Sequence, residues 1–316
     1  MKRALLLVNM GGPATTRDVE PFLHAIFLDP AILPLPSLAR PSAARWLARW
    51  RAPHVAKRYE QVGGGSPLGR YTAELARGVR EALPAGAGLR VETAFRYCSP
   101  HIEEALCSLD TYGVQRVRVL PLFPHHTTAM TGSVLLEARR VATRLGLSLE
   151  SVPAFGARAD IVGLWASMAR AGLAEAGPEA RVLFTAHGIP MRDVKRGDDY
   201  PERVSDSARA VAALLPRGTA WSLAYQSKLG PLPWTRPYLD EEVPRLARQS
   251  RAPLVIVPLS FVADCLETLY DLDIVARELA RTGGIEKVVR VSSFNADPAF
   301  ARIVAAMALQ QKAEAA

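Results

Sequence analysis

The feature that most constrains this chain is an alternation repeated along its length. Short apolar runs bounded by Gly or Pro give way to longer stretches rich in Ala, Leu and Arg. Runs of this length with β-branched residues read as strands buried on both faces, and the stretches between them read as crossover helices. That order of elements dictates an α/β fold with parallel sheets. Strands are expected at 4–9, 90–95, 116–122, 148–153, 181–186, 220–225, 254–259 and 287–292. Helices are expected at 72–83, 102–109, 131–145, 158–176, 201–214, 241–248, 265–280 and from 298 onward.

The two halves rhyme. Leu6-Leu7-Val8-Asn9-Met10-Gly11-Gly12-Pro13 parallels Leu183-Phe184-Thr185-Ala186-His187-Gly188-Ile189-Pro190. The run from Ala94 to Pro100 parallels that from Leu223 to Ser227, and the run from Val119 to Phe123 parallels that from Ile256 to Phe261. With 316 residues, the length also favours two domains. The expected division is 1–147, completed by a terminal helix at 297–316, and 148–296. Open parallel sheets take ligands beyond the carboxyl ends of their strands, and two such domains can present those ends to one cleft. Each rhyming motif sits at a strand end.

Lys and Arg number 39 against 31 Asp and Glu, a net charge of +8 that suits nucleic acid, an acidic membrane surface or a carboxylate- or phosphate-bearing ligand. Solvated surface charge explains the excess equally well. No nucleic-acid recognition motif accompanies it, so nucleic acid drops out as a partner. Three scattered cysteines, Cys98, Cys107 and Cys265, make no disulfide framework and fit a reducing compartment. The start lacks an Ala-x-Ala cleavage site and reads as a first strand, and no run of eighteen apolar residues occurs. The expected location is the cytoplasm.

Residues 29–53 carry Pro30, Pro34, Pro36, Pro41 and Pro53 and are expected to form no single regular element. Trp46, Leu47 and Trp50 stand there beside Arg45, Arg49 and Arg51. Such an amphipathic lip suits a flat hydrophobic ligand or a peripheral membrane contact, or else packs on the core as a domain edge.

His187 is the sharpest single candidate, because it follows an apolar strand, precedes Gly188 and can project into a cleft as base or metal ligand. A hydrogen-bonded structural histidine is the plainer alternative. Asp264, Glu267 and Asp271 are three and four apart, so a helix over 265–280 forms one acidic stripe, with Leu266, Leu269, Tyr270 and Ile274 facing the core. Those carboxylates suit a divalent transition metal, or merely complement a helix dipole. His-Glu-x-x-His, Walker and Gly-x-Gly-x-x-Gly signatures are absent. His125-His126 is a weak metal hint, since adjacent residues on an extended segment point to opposite sides.

In order, Val8-Asn9-Met10-Gly11-Gly12-Pro13, Gly63-Gly64-Gly65-Ser66-Pro67-Leu68, Phe95-Arg96-Tyr97, Leu120-Pro121-Leu122-Phe123-Pro124 and Thr131-Gly132-Ser133 are followed by Ala186-His187-Gly188-Ile189-Pro190. Ala224-Tyr225-Gln226-Ser227-Lys228-Leu229-Gly230-Pro231 with Trp234, and Ser260-Phe261-Val262-Ala263-Asp264 through Glu267-Thr268-Leu269, complete the series. Over nearly the whole chain this series resembles the ferrochelatase family. The resemblance implies two similar Rossmann-like domains flanking an active-site cleft, and insertion of ferrous iron into a porphyrin, the terminal step of heme synthesis. The substrates are then a porphyrin and Fe2+, with no prosthetic group required. The family's essential histidine falls on His187 and its essential glutamate on Glu267, with Asp271 a further metal-handling carboxylate. Met10, Arg51, Tyr59, Arg96, Tyr97, Trp234 and Phe261 fall where the family lines its macrocycle pocket, and arginines suit propionates.

Met10 resembles the protoporphyrin-using branch, whereas the coproporphyrin-using branch often carries tyrosine near there. His125-His126-Thr127 depart from the family's usual Gln-Tyr-Ser, Cys265 stands where histidine is usual, and Val275 interrupts the acidic row one turn beyond Asp271. Three cysteines cannot supply the four ligands of the 2Fe-2S cluster some members hold, so no cluster is expected. A monomer is expected. The alternatives are a coproporphyrin ferrochelatase, a cobalt or nickel tetrapyrrole chelatase, and a non-catalytic porphyrin or heme carrier.

Overall fold

A computed structural model describes residues 2–228, 230 and 232–310. Leu229 and Pro231 of the 224–231 motif, and residues 311–316 of the expected terminal segment, lie outside the described residues. The chain divides into two units, one of Met1–Leu122, Thr128–Pro153 and Asn295–Ala316, the other of Phe123–Thr127 and Ala154–Phe294.

The first unit runs β1 (Lys2–Asn9), α1 (Val19–Leu28), α2 (Arg40–Gln61), α3 (Leu68–Ala82), β2 (Leu89–Phe95), α4 (Ile102–Thr111), β3 (Val114–Pro121), α5 (Ser133–Leu145) and β4 (Ser148–Ser151). Its four strands are parallel in the order β2-β1-β3-β4. Leu5, Leu6, Leu7 and Val8 of β1 are fully buried, as a strand with a neighbour on each side and helices over the sheet requires. The second unit runs α6 (Ala159–Ala176), β5 (Arg181–His187), α7 (Met191–Val194), α8 (Tyr200–Ala212), β6 (Trp221–Gln226), α9 (Leu239–Gln249), β7 (Leu254–Pro258), α10 (Arg277–Thr282) and β8 (Val288–Arg290). Its parallel sheet has the order β6-β5-β7-β8, the same pattern as the first. The chain then closes with α11 (Pro298–Leu309), which packs on α3 of the first unit. The rhyming sequence blocks are therefore equivalent strand ends: β1 with β5, β2 with β6, β3 with β7.

Two boundaries differ from expectation. The second domain was expected to open at 148, yet β4 pairs with β3 through Val117↔Leu149 and Arg118↔Glu150 and so completes the first sheet. A short edge strand gains its stability from that ladder, which the local sequence does not display. The stretch 29–53, expected to be irregular, gives half its length to the 22-residue helix α2. Pro41 sits in the first turn, where its missing N–H costs nothing. Pro53 lies in the interior and removes one hydrogen bond. The helix survives because Ala44, Ala48, Ala52, Val55 and Tyr59, three and four apart, bury one face in a packing against α1. Helix α1 itself, burying Val19, Phe22, Leu23, Ile26 and Phe27, escaped the sequence reading.

Candidate active site

β5 lies between β6 and β7, and strand order reverses between β5 and β7, which places a crevice beyond their carboxyl ends. His187 is the last residue of β5 and is half-buried. Its Nδ1 lies 2.6 Å from the carbonyl oxygen of Gly188. A carbonyl only accepts, so Nδ1 carries a proton and Nε2 is the nitrogen left to exchange one. The His187 backbone is held from both sides. Its N–H donates to Ser260 Oγ at 2.9 Å, and its carbonyl accepts from Tyr200 Oη at 2.8 Å. Burial pushes the Tyr200 hydroxyl above its ordinary range, so it stays a donor.

Trp234 and Phe261, both expected beside the macrocycle, flank the imidazole with ring centroids at 6.3 and 6.5 Å. Trp234 is brought there by a strap. Met191 N–H donates to Pro233 O at 2.9 Å, Thr235 N–H to Ile189 O at 2.9 Å, and Ile189 N–H to Thr235 Oγ1 at 3.1 Å. Gly188 permits this closeness, because a Cβ there would stand 3.2 Å from Gln226 O, 3.3 Å from Thr235 Oγ1 and 3.4 Å from Trp234 Cε3.

Glu267 and Asp271 lie on a π-helical segment, Glu267–Ala276. The ordinary helix expected over 265–280 is thus wound wider, and its faces differ from the expected ones. Thr268, Leu272 and Ala276 are buried, while Leu266, Leu269, Tyr270 and Ile274 are only half-buried. Asp264 leaves the expected stripe altogether. It precedes the helix, is buried, and meets Arg290 Nη1 at 2.7 Å, while Arg290 Nε meets Asp273 at 2.8 Å.

Two residues at the end of β6 tie this segment to His187. Gln226 is the sheet partner of His187, and its Nε2 donates to the Glu267 carbonyl at 2.7 Å. Ser227, in the left-handed region at φ 66°, donates from Oγ to Asp271 Oδ2 at 2.6 Å. Strain at a non-glycine residue is characteristic of positions where a side chain must be aimed. Cys265 is buried, and burial followed by the Glu267 charge pushes its thiol well above the ordinary range. Beside Glu267 it is therefore a protonated thiol, chemically unlike the histidine usual at that place.

The remaining expected residues belong to the first unit. Met10 is half-buried at the end of β1, with its N–H on Asn9 Oδ1 at 2.8 Å. Arg51 is half-buried on α2, where burial and then Arg58 lower its guanidinium. Tyr59 is buried on the same helix. Arg96 and Tyr97, expected along the macrocycle, are engaged by Asp29. Arg96 Nη2 meets Asp29 Oδ2 at 2.9 Å and its Nε meets Ser133 Oγ at 2.8 Å, Tyr97 Oη donates to Asp29 at 3.0 Å, and the Ser133 hydroxyl donates there too. This cluster clamps the start of the proline-rich lip. Sequence reasoning missed Asp29, Gln226, Ser227 as a strap, and Arg290.

His125 and His126 separate, the first buried and the second half-buried. His125 Nε2 lies 2.9 Å from Ser207 Oγ, its ring stands edge-on to Tyr200 at 6.0 Å, and its buried Nδ1 finds no partner among the described residues. Among those residues no three His, Cys, Asp or Glu side chains converge as a ligand set. Burial, then Arg203, holds His125 down at about 4. The unfolded chain therefore binds a proton that the folded one refuses between about pH 6.5 and 4. Stability is full above that window and falls through it by on the order of 3 kcal/mol. His125→Asn is expected to flatten that loss, measured as urea midpoints at pH 7 and pH 4.5; an unchanged slope would assign the acid sensitivity elsewhere.

The ferrochelatase family model matches residues 2–312. A ferrochelatase of Synechococcus elongatus is 36% identical over 307 residues, covering 94% of this chain and 79% of its own. One of Geotalea daltonii is 36% identical over 318 residues, covering 99% of each chain. Among solved structures, SirB from Bacillus subtilis with Fe3+ matches at a TM-score of 0.60 and 17% identity over 98% of this chain and 96% of its own, a likeness of fold. The same strand-end motifs, in the same order, run through a chain whose whole described length fits one family, and the chain belongs to the ferrochelatases, a family of metal chelatases.

Proposed function

We propose that this chain inserts ferrous iron into protoporphyrin IX, giving protoheme and two protons as the closing step of heme synthesis. Iron and porphyrin are both substrates. The observation that carries the reading is the Nδ1 contact of His187 with the Gly188 carbonyl, which leaves Nε2 as the available base. Nε2 accepts a pyrrole proton and the ring becomes an imidazolium; the second proton leaves through Glu267 and Asp271, the carboxylates that also deliver iron. A planar macrocycle presents its nitrogens poorly to an entering ion, so the enzyme gains rate by binding a puckered ring better than a flat one. Trp234 and Phe261, beside the imidazole, supply apolar faces for that ring.

Met10 supports the protoporphyrin branch, since an apolar side chain favours vinyl groups over additional carboxylates. Anaerobic assays with Fe2+ and either protoporphyrin or coproporphyrin, read by the Soret shift, are expected to give at least tenfold higher kcat/KM with protoporphyrin. A preference for coproporphyrin would reverse the branch. Metallation of neither, alongside tight binding, would favour a carrier.

Peripheral membrane contact is part of the same proposal. Trp46 and Trp50 are 65% and 68% exposed on α2, stacked at 6.0 Å with planes 2° apart, and Leu38 before them is 94% exposed. Arg45 and Arg49 accompany them on the surface. Aromatic rings among arginines suit an anionic lipid interface. Trp46→Ser/Trp50→Ser is expected to lower partition onto phosphatidylglycerol vesicles by about tenfold or more in co-sedimentation, the scale set by exposing two buried aromatics. Equal partition would sink the contact. No helix of the described residues is long and apolar enough to cross a membrane.

A further inference from the structure

At the amino-terminal edge of the first unit's sheet, the opposite strand ends from Asn9 and Met10, lies a cavity of about 670 Å³. It forms where β1 and β2 begin, between the end of α3, the 84–88 turn and Tyr112. Lys2, Arg3, Arg80 and Arg90 line it, and among the described residues no acidic side chain does.

How these cations are held separates them from ordinary surface charge. All four are exposed, but other exposed arginines, Arg140, Arg203, Arg209 and Arg281, are paired with carboxylates three or four positions away. In the cavity, Lys2 Nζ donates to Tyr112 O at 2.8 Å, Arg3 Nη2 to Ala87 O at 3.0 Å, and Arg80 to Val91 O through Nε at 3.1 Å and Nη2 at 2.7 Å. Neutral carbonyls orient a cation without cancelling its charge. An ammonium has three donors and a guanidinium five, so each keeps donors for a ligand. Among the described residues only Arg90 of the four meets a carboxylate, Glu92 at 2.7 Å, and its guanidinium lies 3.7 Å over the Tyr112 ring. Four cations and this one flanking carboxylate leave an excess of three positive charges in a concave site.

The charges are also spread. Arg3 is in register with Leu89 and Ala4 with Arg90, so Arg3 and Arg90 leave alternate faces at the start of neighbouring strands about 4.8 Å apart, and Arg80 reaches Val91 O from α3. Linked phosphate groups match that spread, whereas a single small anion meets only part of it. We propose that this cavity binds an anion bearing two or more phosphate groups, using Lys2, Arg3 and Arg80 as its donors. Free polyphosphate and clustered phosphate headgroups share this chemistry.

The test is calorimetric titration with inorganic pyrophosphate at low ionic strength, where exposed charges are least screened. The wild type is expected to bind one equivalent, and Arg3→Gln/Arg80→Gln to bind at least tenfold more weakly. Ala85→Glu, on the exposed turn, leaves every cation in place and is expected to weaken binding as much, which keeps the test decisive if the double variant folds poorly. Iron insertion without pyrophosphate is expected to be equal in all three. In a second arm, phosphatidate vesicles are offered to the Trp46→Ser/Trp50→Ser protein with and without Ala85→Glu. Vesicle capture lost on Ala85→Glu, with no pyrophosphate binding, assigns the site to headgroups; pyrophosphate binding lost on Ala85→Glu assigns it to a soluble anion. Binding absent in both arms, or indifferent to the variants, overturns the proposal.

Discussion

Replacing His187 by alanine is expected to lower kcat for iron insertion by about two to four orders of magnitude, the scale of losing a positioned general base. Porphyrin affinity is expected to change only a few-fold. The separation follows from the geometry. The imidazole is set by its own Nδ1 contact and by backbone bonds from Tyr200 and to Ser260, neither of which passes through the ring, so truncation removes Nε2 while the strand end stays in place. Trp234 is expected to keep its place, because the strap at 188–191 is made by backbone and Thr235. Porphyrin fluorescence quenching measures affinity and the anaerobic Soret assay measures turnover. Near-normal turnover would remove His187 from the chemistry. Loss of affinity in proportion to rate would make it a binding residue.

The largest stability effect is expected at Arg290, which touches no proposed substrate contact. Arg290→Met leaves Asp264, 4% exposed, without its guanidinium partner. Removing one member of a buried ion pair costs about 3–5 kcal/mol, because the other charge stays desolvated. Asp264 lies directly before the π segment and Asp273 within it, so the same substitution loosens the start and middle of the element carrying Glu267 and Asp271. A lowered urea midpoint is therefore expected together with reduced turnover. Asp264→Asn/Arg290→Met, which removes both charges, is expected to recover much of the midpoint. An unchanged midpoint in Arg290→Met would mean that Asp264 is held by its other neighbours.

β1, β5 and β7 were legible because each is an apolar run buried through its central residues, as strands of a parallel sheet covered on both faces are. The candidate site residues stood out where the signal is local, His187 at the end of an apolar strand and Glu267 among clustered carboxylates. Longer-range facts left no trace in spacing. Asp29 holds Arg96 and Tyr97 across more than sixty positions. Helix α2 forms despite Pro53 because a face of alanines packs on α1, a tertiary gain that overrides propensity. The π winding has no compositional signature, and it moved Asp264 out of a stripe that ordinary helical spacing had drawn. Even so, the segment is tied back to consecutive residues at the end of β6, through the Glu267 carbonyl and the Asp271 side chain.

The matching strand orders carry a consequence for how such a protein can diverge. Aligned copy on copy, the slot occupied by His187 in one sheet is occupied by Met10 in the other. Two units of one strand order thus hold two equivalent strand-end positions that carry different side chains. The side chain at the first slot can therefore change without altering the strand end that carries His187.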